Sequence, residues 1–210
     1  MKKRQKTRFA IGLLAAFVSW TAAIRLVDVR AIGPQGSTVG FAMLNRFVHD
    51  LTGVHMSLYT ITDWLGLIPF GVVMGFALLG LVQWVKRKHL LKVDRSIFVL
   101  GGFYVVVMAV YLFFELVVIN YRPVLIEGIL EASYPSSTTM LVLCVMPTAM
   151  MQLRTRVKNQ ILRRCISGSM IVFTIFMVIG RLVSGVHWFT DIIGGVLLST
   201  GLVLLYDAAS

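Results

Sequence analysis

The residues best suited to chemistry lie in one short stretch, residues 180–191, GRLVSGVHWFTD. It sets Arg181, His187 and Asp191 at fixed offsets between apolar runs. Charged side chains in such surroundings are costly, which marks them as functional. His187 and Asp191 are four apart, a spacing that puts both on one face of a helix. A carboxylate there holds one imidazole nitrogen and leaves the other free to attack an electrophile. Arg181 adds a planar fork of donors that suits a phosphoryl group. The competing reading is structural: Asp191 caps a helix, His187 sits at headgroup level and Arg181 snorkels to the interface.

The elements that must position these residues are membrane helices. The chain of 210 residues is 58% hydrophobic and 14% charged, with a mean hydropathy of +0.85. A soluble domain of this size does not carry so much apolar surface. Several runs reach the roughly 20 apolar residues that cross a bilayer as a helix. The expected fold is all-α, a single domain over 1–210 built as a six-transmembrane-helix bundle. The spans are expected up to about 27, then at about 57–85, 97–119, 136–153, 165–183 and 188–205. A bend is expected near Pro69 in the second and near Pro147 in the fourth. Residues 39–56 read as an amphipathic segment lying at the interface.

Charge fixes the expected orientation. Five basic residues precede the first span, five lie between the second and third, and five between the fourth and fifth, 15 of the 20 Lys and Arg. By the positive-inside rule these segments, and both termini, are cytoplasmic. The net charge of +11 is thus a membrane footprint, and no nucleic-acid partner is expected. Arg122, Ser136, Ser137, Arg181, His187 and Asp191 then fall together at the opposite, extracytoplasmic ends of their helices. Asp63, near the same end, is expected to pair with an arginine. The remaining polar groups read as structural. His49, Asp50 and His55 form a polar face, not a metal site, and Cys144 and Cys165 are packing residues that match no metal or disulfide framework. Gly168, Gly180, Gly185, Gly194 and Gly195 are expected to allow close helix approach.

Two further segments complete a phosphoryl-transfer kit. Arg122-Pro123 closes one outer loop, and Pro135-Ser136-Ser137-Thr138 opens the fourth span, with Ser136 as its cap. A helix N-terminus presents free amides and a positive dipole end to phosphate. Two arginines, that N-terminus and an oriented histidine suit transfer through a phosphohistidine.

On these residues the sequence resembles the type 2 phosphatidic acid phosphatase superfamily, whose motifs are K-x6-R-P, P-S-G-H and S-R-x5-H-x3-D. The third motif is present as Arg181, His187 and Asp191, with Gly180 at the serine position. The first is present as Arg122-Pro123, with Glu115 at the lysine position. The second is present as Pro135-Ser136, with Ser137 and Thr138 at the glycine and histidine positions. The motif-bearing part spans about 97–205. The resemblance implies a multi-pass enzyme of a bacterial cytoplasmic membrane that hydrolyses a lipid phosphate or diphosphate and needs no cofactor or metal. It implies that His187 is the nucleophile, Asp191 its orienting partner and Arg181 a phosphate ligand, with Arg122, Ser136, Ser137 and Thr138 binding phosphate. The motif histidine is the family's usual proton donor, and Thr138 cannot act as a general acid near neutral pH. That substitution favours a leaving group that needs no proton, hence a diphosphate such as polyprenyl diphosphate; the alternative is that Glu127 or Glu131 takes over as acid and monoesters are cleaved too. The rival reading is a catalytically impaired member that binds anionic lipid headgroups without turnover.

Overall fold

Each of the six apolar runs folds as helix, the conformation that satisfies every backbone polar group within one segment. A computed structural model describes residues 2–210. Its α-helices are α1 (Lys3–Leu26), α2 (Ala42–Thr52), α3 (Met56–Leu65), α4 (Leu67–Arg87), α5 (Arg95–Leu116), α6 (Ser137–Arg156), α7 (Gln160–Val183) and α8 (Phe189–Ala209). Among the described residues there is no strand, only isolated bridges.

Five segments are long and apolar enough to cross a membrane: α1, the α3–α4 pair, α5, α7 and α8. Six were expected; the run at 136–153 is helical as α6 but is not among these five. It packs against α4, α5, α7 and α8 and buries Thr138, Thr139, Thr148 and Gln152. A helix sheltered on all sides needs no lipid-compatible surface, so its hydropathy falls. The second run divides at Gly66, between α3 and α4, rather than at Pro69. Pro69 lies in the first turn of α4, where its missing N–H leaves no bond unmade.

The two ends of the bundle differ in chemistry. Lys6 Nζ meets Asp207 Oδ2 at 2.6 Å, which joins the start of α1 to the end of α8. Arg87, Arg156 and Gln83 converge on Asp94 at the same end, with Arg87 Nη1 at 2.9 Å. Both termini and all three basic segments therefore share one end. The opposite end carries the loops after α1 and α5 and the α7–α8 turn. The loop after α5 folds back on itself through bridges Tyr121–Ala132 and Ile126–Ile129, with Glu127 and Gly128 at positive φ at its tip.

Close approach fixes this polar end. Gly185 has φ +69°, and a Cβ there would sit 2.0 Å from the carbonyl oxygen of Gly53. A Cβ on Gly194 would strike the Tyr134 ring at 2.4 Å. Tyr134 is buried between Phe17 and Phe114, and its hydroxyl lies 2.7 Å from Thr21 Oγ1. Two packing expectations fail. Gly168 faces open space, and Cys165 is exposed on α7, while Cys144 is buried in α6.

Candidate active site

The α7–α8 turn delivers His187 and Asp191 by a route other than a shared helix face. Helix α8 begins only at Phe189, so His187 precedes it and Asp191 occupies its third position. The Asp191 carboxylate reaches back to the Trp188 N–H at 2.9 Å, a capping box that ends the helix there. Asn45 of α2 adds a second clamp. Its Oδ1 accepts from the Thr190 N–H at 3.1 Å, and its Nδ2 donates to the Thr190 hydroxyl at 3.0 Å.

The expected direct His187–Asp191 hydrogen bond is absent. Nδ1 lies 3.9 Å from Asp191 Oδ2, beyond hydrogen-bond reach. Nδ1 instead meets Ser133, whose carbonyl oxygen is 3.1 Å away and whose hydroxyl oxygen is 3.2 Å away. The Ser133 hydroxyl donates to Asp191 Oδ2, and Asn120 Nδ2 donates to Oδ1 at 3.2 Å. Asp191 therefore orients the imidazole through Ser133. The physical reason is the capping box, which draws the carboxylate toward the backbone and away from the ring.

This arrangement sets the tautomer. A carbonyl oxygen can only accept, so Nδ1 carries the proton and Nε2 keeps its lone pair. Nε2 is buried and has no partner among the described residues. The imidazole pKa is held well below its ordinary value, first by burial and then by the nearby Arg122 and Arg181 charges. His187 is thus a neutral base with a free lone pair.

The arginines converge from different elements. Arg181 is 1% exposed; it does not snorkel. Its Nη1 contacts Asp63 at 3.5 Å and Thr62 Oγ1 at 3.4 Å, and its guanidinium lies 5.0 Å from the Tyr59 ring centre. Asp63 thus meets an arginine, as its position predicts. Arg122 stands 5.8 Å from the same ring and contacts Glu131 at 3.0 Å, not Glu115. Arg122 Nη1 and Arg181 Nε are buried and donate to nothing among the described residues. Two cations this close normally repel. The aromatic face of Tyr59 and one carboxylate each keep them together.

A polar cavity of about 570 Å³ opens between these groups, lined by Arg122, Arg181, Ser137, Thr138, Glu115 and Glu131 among others. His187 does not line it. The ring borders an adjoining crevice of about 10 Å³, which shares Tyr111, Glu115, Ala132 and Ser137 with the cavity. Ser136 and Asp191 are fully buried and line neither. Ser136 is not the expected cap: its hydroxyl bonds no amide of α6 and is buried without a partner. Its N–H donates to the Asp191 carbonyl oxygen at 3.2 Å, which ties α6 to α8. No side chain caps α6, so its first amides remain available near Ser137 and Thr138. Of the two candidate substitute acids, Glu131 lines the cavity and Glu127 stands exposed at the loop tip.

Gly180 stands where the resembling motif has a serine, and the packing explains it. A Cβ there would meet Thr62 Cγ2 at 2.8 Å, so α3 and α7 approach too closely for a side chain. His49, Asp50 and His55 do not converge. His49 packs on Trp188, Asp50 faces Arg46 at 3.9 Å, and His55 Nε2 meets the Thr52 carbonyl oxygen at 2.9 Å. Ser133, Asn120 and Tyr59 were not legible as site residues, because none lies at an informative spacing from the motifs.

Residues 107–208 match the family model described as the PAP2 superfamily. No curated protein matches the chain. Among solved structures the fold is similar to that described as the first transmembrane PAP2 type phosphatidylglycerolphosphate phosphatase from Bacillus subtilis. The TM-score is 0.54 at 18% identity, over 95% of this chain and 94% of that chain. A likeness at that identity is one of fold.

Proposed function

We propose that the chain is a member of the PAP2 superfamily, whose model its residues 107–208 match, and an integral membrane phosphatase that hydrolyses a lipid phosphate or diphosphate through a phosphohistidine on His187. One observation carries the reading: a buried imidazole whose Nδ1 is held by Ser133 and whose Nε2 is free, beside a cavity lined by two arginines. Nε2 attacks phosphorus and forms the P–N bond as the lipid oxygen leaves. Arg122 and Arg181 take the charge on the phosphoryl oxygens, together with the amides at the start of α6. Asp63 and Glu131 hold the two guanidinium groups in place. Ser133, backed by Asp191, Asn120 and the Trp188 N–H, keeps the ring oriented as its charge grows.

Thr138 shapes the substrate preference. An alcohol leaving group has a pKa near that of water, ~15.7, and needs a proton in the transition state. Loss of a general acid costs about 10² to 10⁴ in rate. A phosphate monoester leaves a diphosphate as an anion, since its second pKa is about 6. Thr138 then suffices as a hydrogen-bond donor, which favours a lipid diphosphate such as polyprenyl diphosphate. The membrane orientation agrees if the basic end faces the cytoplasm, because the cavity then opens on the extracytoplasmic face. Labelling of a cysteine placed at Gln35 from the cytoplasmic side alone would reject that orientation.

The test is phosphate release from polyprenyl diphosphate, phosphatidic acid and phosphatidylglycerolphosphate, the last being the lipid named for the structural neighbour. The diphosphate should turn over fastest, and Thr138→His should raise the monoester rates. Equal rates on all three, unchanged by Thr138→His, would remove the leaving-group argument. Binding of every lipid with no release would identify a non-catalytic headgroup binder.

A further inference from the structure

Hydrolysis of a phosphohistidine needs a group that takes a proton from water, and Thr138 cannot accept one at neutral pH. We propose that Glu115 is this general base; the proposal rests on the reading of His187 as nucleophile. Four residues wall both the His187 crevice and the phosphate cavity, and Glu115 is the only carboxylate among them. The crevice, at about 10 Å³, is about the smallest space that admits one water. Asp63 and Glu131 are each held by an arginine, and neither borders the crevice.

The position of Glu115 is otherwise hard to explain. It lies in the last turn of α5, where a negative charge opposes the helix dipole. It forms no ion pair among the described residues, because Arg122 contacts Glu131 and Arg181 contacts Asp63. A carboxylate beside a phosphate site also weakens substrate binding.

The step balances without any further reagent. The water oxygen forms a new bond to phosphorus while its proton passes to the Glu115 carboxylate. The P–Nε2 bond breaks and its electron pair returns to Nε2, leaving neutral His187 with Nδ1–H still bonded to Ser133. Inorganic phosphate departs, and Glu115 returns its proton to solvent.

The experiment is rapid-quench kinetics on the full chain in detergent, with wild type, Glu115→Gln, Glu115→Asp and His187→Ala. Glu115→Gln should form the phosphohistidine and release one equivalent of leaving group in a burst. Its later turnover on the diphosphate should be slower by about 10² to 10⁴. Glu115→Asp should recover part of the rate. The burst itself reports that the variant is folded. Steady turnover by Glu115→Gln within twofold of wild type would overturn the proposal, as would slowed formation of the phosphoenzyme with normal breakdown. Normal turnover by His187→Ala would remove the nucleophile reading, and the base with it.

Discussion

Replacing Ser133 with alanine separates two accounts of the His187–Asp191 pair. In a direct pair the substitution is silent. Here Ser133 is the link: its hydroxyl donates to Asp191 Oδ2 and stands 3.2 Å from His187 Nδ1. The carboxylate is fully buried and keeps two other donors, Asn120 at 3.2 Å and the Trp188 N–H at 2.9 Å. One of three bonds to a charged acceptor is therefore lost, worth about 1.5–3 kcal/mol. The Ser133 carbonyl still holds Nδ1, so the tautomer survives. The charge coupling that matters as imidazole becomes cationic does not. If that coupling is expressed in the transition state, kcat falls about 10- to 100-fold, with KM nearly unchanged because Ser133 does not line the phosphate cavity. Phosphate release under saturating lipid measures kcat, and thermal unfolding in the same detergent checks the fold. A kcat within twofold of wild type would refute the relay. Asp191→Asn should lower kcat similarly while substrate still binds.

Other outcomes follow from the packing and the charges. Gly180→Ser should lower stability by about 1–3 kcal/mol through overpacking against Thr62. Thr62→Ser removes the offending methyl and should restore a Gly180→Ser chain; a melting temperature that does not recover would refute the contact. The depressed pKa of His187 predicts that kcat/KM shows no acid limb near the ordinary histidine value of about 6.5. For stability the sign is fixed by proton binding. Below pH of about 6.5 the unfolded chain takes up a proton that the folded chain resists, so stability falls as pH falls through that value. His187→Asn should flatten this part of the profile; an unchanged slope would contradict the burial argument.

The sequence exposed the helices and the motif residues because both carry strong physical signals. Apolar runs of span length cannot be hidden, and Arg181, His187 and Asp191 stand out against them. The centrally packed α6 reads as a fourth span like the others, and its more polar, buried character shows only where neighbouring helices surround it. The geometry of the pair was not legible. Spacing of four implies a common helix face only when both residues are helical, and His187 lies before α8. Ser133 and Asn120 were invisible for the same kind of reason. They reach the site through the backbone path of the loop after α5, which no periodicity encodes. The Gly180 substitution became intelligible only with Thr62 in view, a contact between residues 118 positions apart.

The central claim is that Nε2 of His187 carries the phosphoryl group. Acid-avoiding quench during turnover, followed by peptide mass analysis, tests it directly. The account predicts one phosphate on the peptide containing His187, attached at Nε2, absent from His187→Ala and accompanied by loss of turnover in that variant. A phosphoryl group on any other residue, or undiminished turnover by His187→Ala, would contradict it.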